Sequence, residues 1–335
     1  MKMALRLARR GLGQVFPNPA VGCVLVKNES TCHVVGRGWT QPGGRPHAEV
    51  EAIRRAGKLA HGSTAYITLE PCNHFGKTSP CTTALIKAGI KKVYIATKDP
   101  DKRVSGRGIK ALQEAGVTVM LGLLKSEAKI LNAGFFSRIK HNRPLISWKV
   151  ASSIDGKIAT NSGESKWITN NLSRTHGHLL RAENDAILTS ARTIKIDNPQ
   201  LTCRLPGMEK RSPQPVVIDQ NLKIPTVSNL FKQNQKPWIY AATDACCQKK
   251  DRLEQLGAQI FLIPKDSNKK LNLTEVASHL AQKGITRVLI ECGGVLASSF
   301  LNENLIDKIF WFRSSKLIGN KGLSAVGELN VTRIE

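Results

Sequence analysis

Acidic residues are scarce in this chain of 335 residues. Only 25 Asp and Glu stand against 50 Lys and Arg, a formal net charge of +25. A surplus of that size fits an anionic partner, either a nucleic acid or a phosphorylated small molecule. The basic residues nevertheless divide almost evenly between the two halves, with no run longer than a pair. That spread describes a solvated surface better than a binding stripe. Aromatics are also few, at 5%, which leaves little material for stacking single-stranded bases. No apolar run approaches the ~20 residues that a membrane-spanning helix needs, so no membrane partner is expected. The N-terminus, MKMALRLARRGLG, lacks the contiguous apolar core of a secretion signal. Its Leu and Ala positions suit an ordinary first helix, and a cytoplasmic address is the expectation.

Disulfides are not expected either. The eight cysteines are Cys23, Cys32, Cys72, Cys81, Cys203, Cys246, Cys247 and Cys292. In a long cytosolic chain they stay reduced, which favours metal binding or burial. Cys23, inside AVGCVLV, reads as a small core residue. Cys32, Cys203, Cys246 and Cys247 have no partner at ligand spacing.

What is present is an alternation of strands and helices in a globular composition, 41% hydrophobic and 22% charged. VGCVLVK and HVVGRGW read as two strands joined by a polar turn, Asn28 to Thr31. HAEVEAIRRAG is helical, with Gly57 as its stop. TAYITLE is a strand and CTTALIKAG a helix closed by Gly89. KKVYIAT, GIKALQEAG and VTVMLG repeat the scheme. One longer helix is expected from Ser126 to about Lys140, and Pro144 ends the helical pattern. A new strand begins in PLISWKVASSIDG, so the domain boundary falls there, giving domains 1–143 and 144–335. In the second half DAILTS, PVVIDQ, PWIYAAT, AQIFLIP, RVLIECGG and KIFWFRSS read as strands. NLSRTHGHLLRAE, TEVASHLAQKG and VLASSFLNEN read as helices. Such alternation implies sheets with helices packed on their faces, an α/β fold.

The sharpest chemical feature is His47-Ala48-Glu49, followed by Pro71-Cys72 and then Cys81. Zinc takes imidazole and thiolate ligands, and a catalytic site keeps one of its four positions open for water. His47, Cys72 and Cys81 supply three such ligands. Cys81 opens a helix, where the helix end favours thiolate. Zinc acidifies a water it binds, and Glu49, two residues from the ligand, is placed to carry that water's proton. This is the H-x-E signature of zinc deaminases, although their second element, P-C-x-x-C, is here widened to eight intervening residues. A purely structural zinc would need a fourth ligand, for which His74 is the nearby candidate.

PNPAVGCVLV, GRPHAEVEA and TLEPCNHFGKTSPCT resemble the deaminase half of the bifunctional riboflavin-biosynthesis deaminase–reductase family, wide cysteine spacing included. KVASSIDGKIAT, SGESKWIT, ILTSARTIKIDNPQLTCR and IECGGVLASSF resemble its reductase half. The resemblance implies a cytidine-deaminase-like three-layer N-terminal domain and a dihydrofolate-reductase-like C-terminal domain. It implies two reactions. Zn2+-dependent hydrolysis removes an amine from a diaminopyrimidinone that carries a phosphoribosylamino group, and NADPH then reduces the ribosyl chain to ribityl. It puts the zinc ligands on His47, Cys72 and Cys81, the proton shuttle on Glu49, and a ring contact on Asn18. The reductase's substrate contacts fall on Ser165, Arg181, Leu201, Arg204 and Glu291. Its cofactor contacts fall on Ala151, Trp167, Thr193, Asp197 and the run Gly293, Gly294, Val295, Leu296, Ala297, Ser298 and Ser299. A homo-oligomer is expected.

The chain departs from the family in several places. Ser314-Ser315 stand where the family has Ala-Pro, and Gln220 stands where a serine is expected near the cofactor. The N-terminus is a few residues short, and the chain ends at Glu335 before the family's final strands, which would leave a sheet edge unpaired. Three alternatives therefore stay open: a deaminase whose second half is a scaffold, a deaminase acting on a tRNA-type nucleic acid, and a non-catalytic nucleic-acid binder with a structural zinc.

Overall fold

The computed structural model describes residues 1–27, 31–76, 79–102, 104–329 and 331–333. The polar turn expected at Asn28 to Thr31 lies largely outside them. The chain divides into two compact units, Met1–His141 and Asn142–Glu335.

The first unit runs α1 (Lys2–Arg9), β1 (Gly22–Lys27), β2 (His33–Trp39), α2 (Ala48–Ala56), β3 (Thr64–Ile67), α3 (Cys81–Lys87), β4 (Lys92–Ile95), α4 (Arg107–Glu114), β5 (Thr118–Leu121), α5 (Lys125–Leu131) and α6 (Ala133–His141). Its sheet has the order β2-β1-β3-β4-β5. β1 is antiparallel to both β2 and β3, whereas β3, β4 and β5 are parallel. Cys23, Leu25, Ile67, Leu85, Val93, Ile95 and Leu112 form the core with the small residues of α2, Ala48, Ala52 and Ala56. Cys23 is fully buried there, as its apolar run implies.

Two close approaches set this unit's geometry. A Cβ at Gly22 would lie 1.9 Å from the Ala4 carbonyl oxygen of α1. On β2, a Cβ at Gly38 would lie 2.1 Å from the Ala48 carbonyl oxygen of α2. The two glycines lie on opposite faces, because Gly38 pairs with Cys23, the neighbour of Gly22. Side-chain-free positions thus let one helix lie backbone-close on each face.

The single helix expected over 126–140 is two, separated at Asn132. Asn132 turns its amide onto another segment: its Oδ1 accepts from the Ala20 backbone N–H and its Nδ2 donates to the Ala20 carbonyl, both at 2.9 Å. That non-local pairing replaces helix continuity at a residue of weak helix preference.

The second unit runs β6 (Leu145–Ser152), β7 (Lys157–Ala159), α7 (Asn171–Ala182), β8 (Ala186–Ser190), α8 (Ala191–Asp197), β9 (Gln214–Ile218), β10 (Trp238–Ala242), α9 (Cys247–Gln255), β11 (Gln259–Ile263), α10 (Leu273–Gln282), β12 (Arg287–Ile290), α11 (Gly294–Asn302), β13 (Lys308–Arg313) and β14 (Leu323–Ser324). Seven strands form one sheet in the order β11-β10-β9-β8-β12-β6-β13, and every described pairing in it is parallel. Parallel sheets need both faces covered, and the inner strands are accordingly near-continuous apolar runs with Trp148, Ile187, Leu188 and Tyr240 almost wholly buried. β13 is an edge strand of the described sheet and keeps Ile309 and Trp311 partly exposed. β14 pairs antiparallel with β7. Caps at Asn170, Ser190 and Asn272 start α7, α8 and α10 by accepting backbone N–H groups of the first turn.

Gly38→Ala should lower the unfolding free energy by about 3 kcal/mol, because backbone must move to admit the methyl group. Chemical denaturation measures this, and an unchanged midpoint would refute the close approach of α2.

Candidate active sites

In the first unit, three elements converge. His47 is the extended residue that precedes α2, Cys72 follows the β3 segment, and Cys81 is the first residue of α3. Their ligand atoms all lie within 4.8 Å of one another. His47 Nδ1 is 3.2 Å from Cys81 Sγ and 3.7 Å from Cys72 Sγ, and the Cys81 backbone N–H points at Cys72 Sγ at 3.4 Å. Zinc ligands at ~2.1 Å (N) and ~2.3 Å (S) in tetrahedral array stand roughly 3.5–3.8 Å apart, so the donor set fits that ion. His74 is exposed and is not among the donors brought together.

The electrostatics agree. A hydrogen bond from the Cys81 thiol, helped by His47, holds the Cys72 thiol down at about 4. The same hydrogen bond, with burial and the Glu49 carboxylate, pushes Cys81 well up. Glu49 is 3% exposed. Burial raises its pKa, His47 opposes the rise and Cys72 adds to it. A buried carboxyl poised to hold a proton beside three soft donors is the arrangement that acid–base chemistry at a metal requires.

Two further groups frame this site. Asn18 donates to the Gly44 carbonyl at 2.9 Å and so ties down the turn before His47. Glu70 was not singled out by the sequence reading. It is 3% exposed, and its carboxylate accepts four backbone N–H groups, from Asp99 (3.3 Å), Gly106 (3.0 Å), Gly108 (3.1 Å) and Ile109 (3.3 Å). It fastens the loop after β4 to the segment that carries Cys72. An acid beside Pro-Cys at a strand end was the only available signal. Burial brings Asp99 of that loop up to about 7.

In the second unit, Arg181 of α7 makes a two-pronged pair with Glu291, just beyond β12, at 2.7 and 2.9 Å. Arg181 also donates to the Thr202 carbonyl at 3.0 Å. Lys149 of β6, another residue the sequence reading passed over, brings Nζ to 3.8 Å from the same carboxylate. Arg204 sits nearby: burial lowers its pKa and Arg181 lowers it further. His178 is lowered by burial and by the same two arginines. Three cations and one acid therefore share this corner, an excess suited to an anionic group. Leu201 is 2% exposed with φ +57°, so any contact it makes is through its backbone. Ser165 is exposed.

The residues expected to hold the cofactor lie where β6, β8 and β12 end. Ala151 is on β6, Thr193 and Asp197 are on α8, and Gly293 caps α11. A Cβ at Gly293 would meet no atom within 4 Å, so the helix start is open on that side. Val295 is exposed, but Ala297 and Ser298 are buried, and Ser298 Oγ accepts the Gly327 N–H at 2.8 Å. Gly294 packs against the carbonyls of Ser324 and Ala325. Trp167 is 61% exposed, with the Arg174 guanidinium 4.3 Å from its ring centre.

Known protein families match both halves of the chain. The cytidine and deoxycytidylate deaminase zinc-binding region matches residues 1–97, and the RibD C-terminal domain matches residues 144–334. The riboflavin biosynthesis protein RibD of Bacillus amyloliquefaciens is 42% identical over 320 residues, 95% of this chain and 84% of that one. This chain belongs to the RibD family. The RibD of Escherichia coli is 40% identical, covering 96% of this chain and 88% of its own. The structure of Acinetobacter baumannii RibD, form 1, aligns with a TM-score of 0.88 at 35% identity over 99% of this chain and 90% of that one. A Thermotoga maritima structure, described as a diaminohydroxyphosphoribosylaminopyrimidine deaminase/5-amino-6-(5-phosphoribosylamino)uracil reductase, gives 0.85 at 35% identity over 99% and 91%. As a RibD, the chain is a bifunctional enzyme of riboflavin biosynthesis, a deaminase and a reductase that use zinc and NADPH. Its halves are a cytidine-deaminase-like domain and a RibD reductase domain.

Glu291 provides a test of the reductase corner. Burial alone would raise its pKa, but Arg181 and Lys149 more than offset this and hold it at about 2, below the ordinary 4.5. The depressed value stabilises the fold above pH 4.5, and that contribution fades as pH falls from 4.5 toward 2. The stability difference between wild type and Glu291→Gln should therefore shrink by about 2 kcal/mol between pH 6 and pH 3. Urea titrations at the two pH values measure it, and a constant difference would contradict the pairing.

Proposed function

We propose that residues 1–143 deaminate a diaminopyrimidinone bearing a phosphoribosylamino group, and that residues 144–335 reduce the deaminated product's ribosyl chain. The observation that carries the reading is the cluster of His47, Cys72 and Cys81 with buried Glu49 beside it. In this reading the three side chains hold the zinc, which when bound supplies a water acidic enough to act as nucleophile near neutral pH. Glu49 takes one proton from that water and delivers it to the ring nitrogen, then takes the second from the hydroxyl that the water has become and delivers it to the departing amine. Water and the amino-bearing ring yield a ring carbonyl and ammonia, and Glu49 returns to its starting state. Its raised pKa suits both halves of that exchange. Asn18 holds the turn at Gly44 and contacts the ring.

In the reductase half, NADPH supplies the hydride. Arg181 and Arg204 orient the substrate phosphate through fixed donor forks, with Ser165, the Leu201 backbone and Glu291 completing the contacts. Trp167, Ala151, Thr193, Asp197 and the segment 293–299 hold the cofactor, with Gly293 and Val295 at its open side. Among the described residues no helix is long and apolar enough to cross a membrane, and we place the enzyme in the cytoplasm. The acid-balanced cation cluster at Arg181 fits a small phosphorylated ligand rather than a nucleic acid. Edge strand β5 leaves Met120 and Leu121 about half exposed, a surface that supports assembly into a homo-oligomer.

A coupled assay on the purified chain should show ammonia release followed by NADPH oxidation. Glu49→Gln should retain one zinc per chain by elemental analysis and lose ammonia release by at least about a thousandfold, since it removes the proton carrier and not a ligand. Cys72→Ser should lose zinc as well. Normal turnover by the Glu49→Gln chain would sink the deaminase mechanism, and both variants should still reduce substrate supplied already deaminated.

A further inference from the structure

The two cysteines of the first site lie unusually far apart in sequence. In the P-C-x-x-C form of a zinc deaminase two residues separate the thiolates, whereas here eight residues, Asn73 to Pro80, separate Cys72 from Cys81. A longer connection costs more chain entropy to close. Tripling the separation makes the closed arrangement about fivefold rarer. Contacts outside the covalent chain are therefore needed to keep the two sulfur atoms at the spacing that a metal requires.

Three hydrogen bonds join the two ends of that connection. The Cys81 N–H points at Cys72 Sγ at 3.4 Å, and the Thr82 N–H donates to the Cys72 carbonyl at 3.3 Å. Both answer the unpaired N–H groups that every helix start carries, and any residue except proline at those positions could donate them. The third bond is specified by side chains. The Thr82 hydroxyl donates to Asn73 Oδ1 at 2.7 Å, so the residue that follows one ligand holds the residue that follows the other. We infer that Asn73 and Thr82 are positioning residues for the zinc site, setting the separation of the Cys72 and Cys81 thiolates. The inference rests on the deaminase reading above.

Burial gives the third bond its weight. Thr82 is 1% exposed, so its hydroxyl cannot turn to water, and a buried hydroxyl without a partner is costly. A threonine in a helix commonly returns its hydroxyl to a carbonyl one turn earlier. Thr82 instead reaches across to the residue after Cys72. Asn73 is exposed, yet its amide is held at both ends. Its Oδ1 accepts the Thr82 hydroxyl, and its Nδ2 donates to the Arg107 carbonyl at 3.5 Å, at the start of α4. The same helix start donates the Gly108 and Ile109 N–H groups to Glu70. Cys72 is thus fixed from both directions, by Glu70 in the chain before it and by Asn73 in the chain after it. Only Asn73 also reaches the segment that carries Cys81.

The test is the zinc affinity of the purified full chain, read by competition with a chromophoric chelator. Thr82→Val keeps the shape of the side chain and removes the hydroxyl, and should weaken zinc binding by about tenfold or more. Thr82→Ser keeps the hydroxyl and should stay within about threefold of wild type. Asn73→Ala should weaken zinc as Thr82→Val does, and combining the two should add no more than about twofold, because both remove one bond. Cobalt(II) in place of zinc gives a second readout. The thiolate-to-cobalt absorption of the Thr82→Ser chain should overlay that of wild type, and that of the Thr82→Val and Asn73→Ala chains should shift or lose intensity. An unchanged zinc Kd in Asn73→Ala, an exposed position that carries no risk to the core, would overturn the inference. So would a Thr82→Val chain that loses resistance to urea but keeps its zinc Kd, because Thr82 would then serve the fold alone. Equal losses in the Thr82→Ser and Thr82→Val chains would also overturn it. A wild-type chain that binds no zinc would instead count against the deaminase reading itself, and the inference would fall with it.

Discussion

The backbone of α2 lies against β2 at a distance that a side chain would forbid, and the first site depends on that contact. Gly38 faces the Ala48 carbonyl, one residue after His47 and one before Glu49. Because interiors are close-packed and transmit displacement, the helix start cannot drift without carrying both residues with it. His47 and Glu49 are therefore positioned by a strand that contributes no side chain to the chemistry. The remaining donors arrive from other elements, Cys72 after β3 and Cys81 at the start of α3.

The second unit solves a similar problem with charge. Glu291 is held between Arg181 and Lys149, contributed by α7 and β6. Burying a lone carboxylate there would be costly, and its two cations repay that cost. The result is a corner whose net charge stays positive. The all-parallel sheet brings β6, β8 and β12 to an end on the same side, so the cation corner and the opening at Gly293 lie where ligands bind in sheets of this kind.

Much of this was legible in the sequence, for identifiable reasons. The His47, Glu49, Cys72 and Cys81 pattern could be read because zinc and proton transfer demand particular residue types near helix starts. The strands and most helices followed from apolar periodicity. Asn132 defeated the periodicity because its partner, Ala20, lies 112 positions away and local pattern carries no trace of it. Lys149 and Glu70 were missed for a related reason. A lysine in a strand and a glutamate before Pro-Cys look ordinary until topology places Glu291 beside one and a loop around the other. The second-half contacts rested on family resemblance, and the structure adds that Arg181 and Glu291 bind each other, while Ala297 and Ser298 turn inward.

Glu70 has a consequence for how this enzyme can diverge. Its four partners are main-chain N–H groups, which every residue except proline possesses. The carboxylate reads the path of the loop after β4 and is indifferent to the side chains along it. Substitutions away from the glycines leave the clamp intact, whereas an inserted or deleted residue between Asp99 and Ile109 would misplace at least two of the four donors. Gly106, at φ +80°, and Gly108, whose Cβ would lie 2.1 Å from the Pro71 carbonyl oxygen, are the positions where side-chain identity is fixed along with length.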